Sequence, residues 1–147
     1  MVDISRKKEN YREAVARGSI SISKDVLDMI IRKKIPKGDV LTTAKIAAIT
    51  AGKRTADLIP LCHPIPVTHI EITLTPDIKK SQIEITSTIR TRASTGVEME
   101  ALTAVVMAGL CIYDMCKPFD KTMVIGNIRL MRKIGGKSGL YERHDEN

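Results

Sequence analysis

Residues 95–117, TGVEMEALTAVVMAGLCIYDMCK, decide the fold. The stretch opens on Glu98 and Glu100, runs through a block without a charge, and closes on Asp114 and Lys117. Its length and apolar content predict one long helix, hydrophobic all the way round and therefore buried. Ionisable groups at the ends of such a helix are costly to bury unless they are paired or put to chemical use. Glu100 and Asp114 are two heptads apart, which puts them within about 40° of each other around the helix axis. Asp114 and Lys117 are i,i+3 neighbours.

Working outward, residues 67–75 and 82–92 alternate as two strands ahead of the helix, and residues 123–133 form a third behind it. Further upstream, residues 19–22 read as a short strand. A helix over residues 23–33 follows, with Ser23 at its N-cap position. Pro36-Lys37-Gly38-Asp39 turns the chain into a second helix, VLTTAKIAAITAGKR, whose small residues suit close packing. LIPLCHPIP, residues 58–66, holds three prolines and is excluded from regular helix or central strand. The order β-α-α-β-β-α-β predicts an α+β fold, a ferredoxin-like antiparallel sheet with helices packed on one face. A polar N-terminal arm (1–18), a single catalytic α+β domain (19–139) and a flexible C-terminal tail (140–147) are expected.

A chain of 147 residues is one domain's length, and with no tryptophan and one phenylalanine its core must be aliphatic. The net charge of +7 points to an anionic partner. Cys62, Cys111 and Cys116 are odd in number and form no CxxC, against a disulfide framework or zinc cage. No basic start followed by an apolar run predicts a signal peptide, and the block 101–113 is too short to span a bilayer. A soluble cytoplasmic protein is expected.

Gly135–Gly139 tempts toward a phosphate-binding P-loop, but that pattern needs glycine where Met131 stands. What survives is a glycine-rich turn carrying Lys137, with Lys133 upstream: either a solvated basic turn or an anion contact. Thr95-Gly-Val-Glu98 has capping-box spacing, so Glu98 has a structural reading beside a chemical one. Glu100 has no such reading, and a carboxylate on a buried helix favours function. Asp114 and Lys117 read as a helix-end ion pair, or as acid and base if enclosed. Aspartate at a helix C-terminus opposes the macrodipole, which tells against a purely stabilising role. His63 sits between Cys62 and Pro64 in a stiffened loop, a place where function collects. His69 and His144 read as solvated, Cys111 and Cys116 as packing residues, and Lys53-Arg54 as further basic groups near that loop.

Together KRTADLIPLCHPIP, TGVEMEALTAVVMAGLCIYDMCK and MVIGNIRLMRKIGGKSG resemble the signature blocks of the cyclic pyranopterin monophosphate synthase family, molybdenum cofactor biosynthesis protein C. MVDIS and KGDVLTTAKIA resemble it too. The resemblance implies a cytoplasmic lyase that converts 3′,8-cyclo-7,8-dihydroguanosine triphosphate to cyclic pyranopterin monophosphate and pyrophosphate. It implies catalysis by Asp114 and Lys117 and substrate contact by Leu61, Cys62, His63, Met99 and Glu100. Glu98, Lys37, Lys133 and Lys137 are further active-site positions. It implies a homohexamer, a trimer of dimers, with Asp114 and Lys117 facing substrate held partly by a neighbour's basic residues, Lys37 among them. No resident cofactor or metal site is read; magnesium is admitted only as the triphosphate's companion. Two rivals remain at this level. An RNA-binding sheet would need stacking aromatics that these strands lack. A non-catalytic assembly protein would leave His63, Glu100 and Asp114 without purpose.

Overall fold

The computed structural model describes residues 1–144. Nine elements follow one another: β1 (Asn10–Ser21), α1 (Lys24–Ile31), α2 (Val40–Lys53), α3 (Thr55–Leu58), β2 (His69–Asp77), β3 (Gln82–Ala93), α4 (Glu98–Cys116), β4 (Val124–Ile134) and β5 (Tyr141–Glu142). The strands form one antiparallel sheet in the order β2-β3-β1-β4-β5. The α+β ferredoxin-like architecture expected from the sequence is therefore present, with α2 and α4 packed together on one face of the sheet.

The helix layer sits close because its contacts are small. Ala44, Ala48 and Ala51 of α2 and Ala101, Ala104 and Ala108 of α4 are all buried. Beneath them Ala14, Ala16 and Ile20 of β1 and Ile83, Ile85 and Ile89 of β3 complete an aliphatic core. Asp39 caps α2 by accepting from the Thr42 amide at 3.0 Å. Ser23 stands at the N-cap of α1 without a side-chain cap bond; its amide instead donates to Asp120 Oδ2 at 2.8 Å.

The expected polar arm gives way after residue 9. Residues 10–18 are part of β1, which lies between β3 and β4 at the centre of the sheet. The alternation is real but disguised. Ala14, Ala16 and Gly18 face the helices and are too small to signal a strand, while Arg12 and Glu13 are charged yet buried. At the other end, Tyr141 and Glu142 of the expected tail pair with Lys133 and Arg132. Residues 145–147 of that tail lie outside the described residues.

Helix α4 differs from expectation in being buried on one face only. Ala101, Ala104, Val105, Ala108 and Ile112 meet the sheet and α2, whereas Met99, Val106 and Leu110 are exposed. Counting Glu98–Cys116, the helix is long and apolar enough to cross a membrane by length and composition. Its packing on the sheet marks it as a core helix.

Candidate active site

Six of the sequence-selected residues converge. Leu61, Cys62 and His63 from the proline-stiffened loop face Glu98, Met99 and Glu100 from the first turn of α4 across a cleft of about 420 Å³. The loop is held there because Thr91 of β3 donates its hydroxyl to the Pro66 carbonyl and Thr68 donates to the Arg90 carbonyl. His63 Nε2 lies 2.7 Å from the Val2 carbonyl oxygen. A carbonyl can only accept, so Nε2 carries the proton.

Glu100 is 4% exposed, and burial pushes its carboxyl up to about 7. Near neutral pH it is half protonated, able to donate or accept a hydrogen bond. Burial also raises the Cys62 thiol, with Glu100 adding to the effect, which makes Cys62 a poor nucleophile.

Glu98 does not form the expected capping box. The helix starts with Val97 at the N-cap position and no side-chain cap bond, because the Glu98 carboxylate folds over Gly96 and pairs with Lys133 Nζ at 3.4 Å. Any side chain at Gly96 would collide with that carboxylate. Glu98 also borders a second cleft, of about 890 Å³, which takes in Lys133 and Lys137. Lys7, Arg6 and Lys8 come from the N-terminal segment into this cleft, and Lys7 lines the first cleft as well. Sequence reading missed Lys7 because nothing in a polar, charge-mixed stretch marks one lysine over its neighbours.

Arg12 is the other missed residue. It is 8% exposed and donates through Nε and Nη2 to the carbonyls of Ala93 and Ser94, both at 3.3 Å. No ion pair to a carboxylate is found for Arg12 among the described residues. The glycine-rich turn rests on it: Gly135 and Gly136 have φ of 101° and 79°, and a side chain at Gly136 would strike Arg12 Nη1. The second cleft is thus strongly cationic, with Asp3 and Glu98 as its carboxylates.

Asp114, Lys117 and Lys37 lie elsewhere. Fourteen residues along α4 from Glu100 is about 21 Å. Lys117 Nζ meets Asp114 Oδ1 at 2.7 Å, and Lys37 Nζ meets Asp114 Oδ2 at 3.0 Å and the Asp114 carbonyl at 3.1 Å. The Asp114 side chain is 57% exposed, so the expectation of two carboxylates on one buried face fails. Asp114 falls on the exposed stripe of α4 with Val106 and Leu110, while Ile112, Met115 and Cys116 around it stay buried. Lys117 first, then Lys37, hold the Asp114 carboxyl below its ordinary range, and Asp114 raises Lys117 in return. Within one chain Lys37 is bonded to Asp114 and lines neither cleft, so it stands apart from Lys133 and Lys137. Among the described residues no three His, Cys, Asp or Glu side chains gather into a metal-ligating group.

The sequence profile of the MoaC family matches residues 1–136. The chain belongs to the MoaC family. Cyclic pyranopterin monophosphate synthase of Pelotomaculum thermopropionicum is 51% identical over 146 residues, 99% of this chain and 86% of the relative. The protein of the same name from Heliobacterium modesticaldum is 52% identical over 145 residues, 99% of this chain and 91% of the relative. That of Thermoanaerobacter pseudethanolicus is 53% identical over 143 residues, 97% of this chain and 90% of the relative. These MoaC relatives match across both ends of α4, so the cleft and the Asp114 ion cluster both fall within the shared region.

Proposed function

We propose that this MoaC family member is a cyclic pyranopterin monophosphate synthase of molybdenum cofactor biosynthesis. It converts 3′,8-cyclo-7,8-dihydroguanosine triphosphate to cyclic pyranopterin monophosphate with release of pyrophosphate. The observation that carries the reading is the meeting of Leu61–His63 with Glu98–Glu100 in one cleft, beside a second cleft rich in permanent positive charge. The first offers a ring-sized pocket with a half-protonated acid. The second suits a triphosphate, whose departing pyrophosphate gains negative charge that lysines neutralise.

Asp114 and Lys117 are the acid/base pair in this reading, and Lys37 orients Asp114. One chain holds them about 21 Å from the cleft. Two copies of α4 packed antiparallel through Val106 and Leu110, with a two-fold axis beside Met107, would bring Glu100 of each next to Asp114 of the other. The exposed apolar side chains on α4 supply the contact. Enclosure there would bring Asp114 and Lys117 out of the solvent that now screens them, tuning both for proton transfer. The assembly is a homohexamer, a trimer of such dimers, acting in the cytoplasm without a resident cofactor; magnesium enters only with the triphosphate.

Incubation with the cyclised dihydro-GTP tests the reading. One pyrophosphate and one cyclic pyranopterin monophosphate should appear per substrate consumed. No release from a folded, hexameric preparation overturns it.

A further inference from the structure

Glu13 is buried, charged and unused by the chemistry above. It is 6% exposed and points to the face of the sheet opposite the helices. Arg90 Nε of β3 donates to its Oε2 at 2.7 Å, Tyr11 donates its hydroxyl to Oε2 at 2.8 Å, and Arg132 Nη1 of β4 donates to Oε1 at 3.1 Å. One carboxylate on the central strand thus ties both neighbouring strands.

The pairing of β1 with β4 shows what that tie holds. Val15 opposes Arg132 and Ala16 opposes Leu130, so Met131 is an extra residue in β4. Ahead of it, Leu130 shares the helix side with Ala16; beyond it, Lys133 shares the helix side with Ala14. In an unbulged strand the alternation would put Arg132 on the helix side and Lys133 on the open side. The two basic residues would exchange roles, and Arg132 instead of Lys133 would meet Glu98. The charges are equal, so charge alone does not choose between the registers. The guanidinium does. Arg132 Nη1 donates to Glu13 at 3.1 Å while its Nε lies at ion-pair distance from Glu142, 3.3 Å, without a hydrogen bond, so one planar guanidinium faces two carboxylates at once.

We propose that Glu13 is a positioning residue: from the far face of the sheet it holds β4 in the bulged register that delivers Lys133 to Glu98 and the cationic cleft. Buried ion pairs are weak sources of stability, and selecting one register is their best-attested use. The proposal rests on the reading of Lys133 as a phosphate-holding residue.

A double-mutant cycle on inorganic pyrophosphate affinity, measured by calorimetry at fixed ionic strength, tests it. Lys133→Ala should weaken binding about tenfold, as loss of a charge-assisted contact does. Glu13→Gln should lose most of the same factor, and the double variant should be no worse than Lys133→Ala alone. Arg90→Ala breaks the tie to β3 only and should leave affinity within about twofold. Additive losses, or native affinity in Glu13→Gln beside a weakened Lys133→Ala, overturn the proposal. A crystal structure of Glu13→Gln, or of Arg132→Lys should that variant not fold, decides independently of any ligand. Lys133 turned away from Glu98 supports the proposal, and Lys133 still paired with Glu98 overturns it. Native affinity in Lys133→Ala removes Lys133 from the ligand site and leaves that crystal structure as the judge of Glu13.

Discussion

The two ends of α4 are built from the same helix and treat charge in opposite ways. At the N-terminal end Glu100 is buried, its carboxyl pushed up to about 7 with no cation paired to it among the described residues. At the C-terminal end Asp114 stands in solvent with two lysines on it and is pushed down. One end is a cleft around a buried carboxyl. The other is an ion cluster at an exposed position. The difference teaches that burial and ion pairing drive two carboxyls of one helix in opposite directions.

The largest expected effect breaks the comparison at its exposed end. Asp114→Asn should lower turnover by about 10²–10⁴-fold while leaving the assembly intact, because a positioned acid/base group contributes that much and a solvated ion cluster contributes little to the fold. Steady-state kinetics with light scattering checks it. Native turnover in the folded variant would leave Asp114 as a helix-end ion pair.

Much of this arrangement is legible in the sequence, and the parts that are not have physical causes. The α4 block and the β2–β3 hairpin follow from periodicity and His63 from proline punctuation, which are local signals, whereas Leu61, Cys62 and Met99 are marked only by the family resemblance. The first part of β1, residues 10–18, is hidden because its buried residues are alanine, glycine, a salt-bridged glutamate and a carbonyl-bound arginine, none of which scores as a strand core. The β4 alternation is broken by the Met131 bulge, so the helix-facing run Leu130, Lys133 skips a step that no period of two predicts. Lys37 is far from Asp114 in sequence, and only the packing of the loop before α2 against the end of α4 joins them. The exposure of Asp114 depends on which stripe of α4 the sheet and α2 leave uncovered, a tertiary fact.

A smaller effect sharpens the comparison by asking which ends meet. Equal mixtures of Asp114→Asn and His63→Ala subunits, dissociated and reassembled, should recover about a quarter of native activity. Half the dimers are then mixed, and each mixed dimer has one intact site of two. Asp114→Asn with Lys37→Ala should recover nothing, since both residues sit at the same end. Recovery in the second mixture and not in the first would reverse the assignment of ends.

The cationic cleft should respond more gently. Lys137→Ala should weaken pyrophosphate binding severalfold, less so as salt is raised, because exposed charges are screened. Lys24→Ala and Lys79→Ala, far from both clefts, should change nothing measurable by calorimetry. Equal losses in all three would mean that the general positive field draws the ligand in.

The smallest effect concerns stability at the buried end. Glu100 titrates at about 7 in the fold against 4.5 for the ordinary group, so the folded protein binds the extra proton between those values. Its contribution is fully favourable below pH 4.5, declines as pH rises toward 7, and is level above that, a total on the order of 3 kcal/mol for a fully buried group. Glu100→Gln should therefore flatten the fall in Tm between pH 5 and about 7.5. The lowered carboxyls of Glu13, Asp114 and Asp120 act in the opposite sense, with stability lost as pH falls through their depressed range, so the two windows separate. Assembly should then modulate the slope. If a neighbour's Lys117 comes to rest beside Glu100, its charge draws the carboxyl back down and shallows the decline. A Leu110→Glu variant that dissociates should show the steeper slope of the isolated chain. Parallel Tm–pH curves for native and dissociated protein would mean that the two ends of α4 never meet.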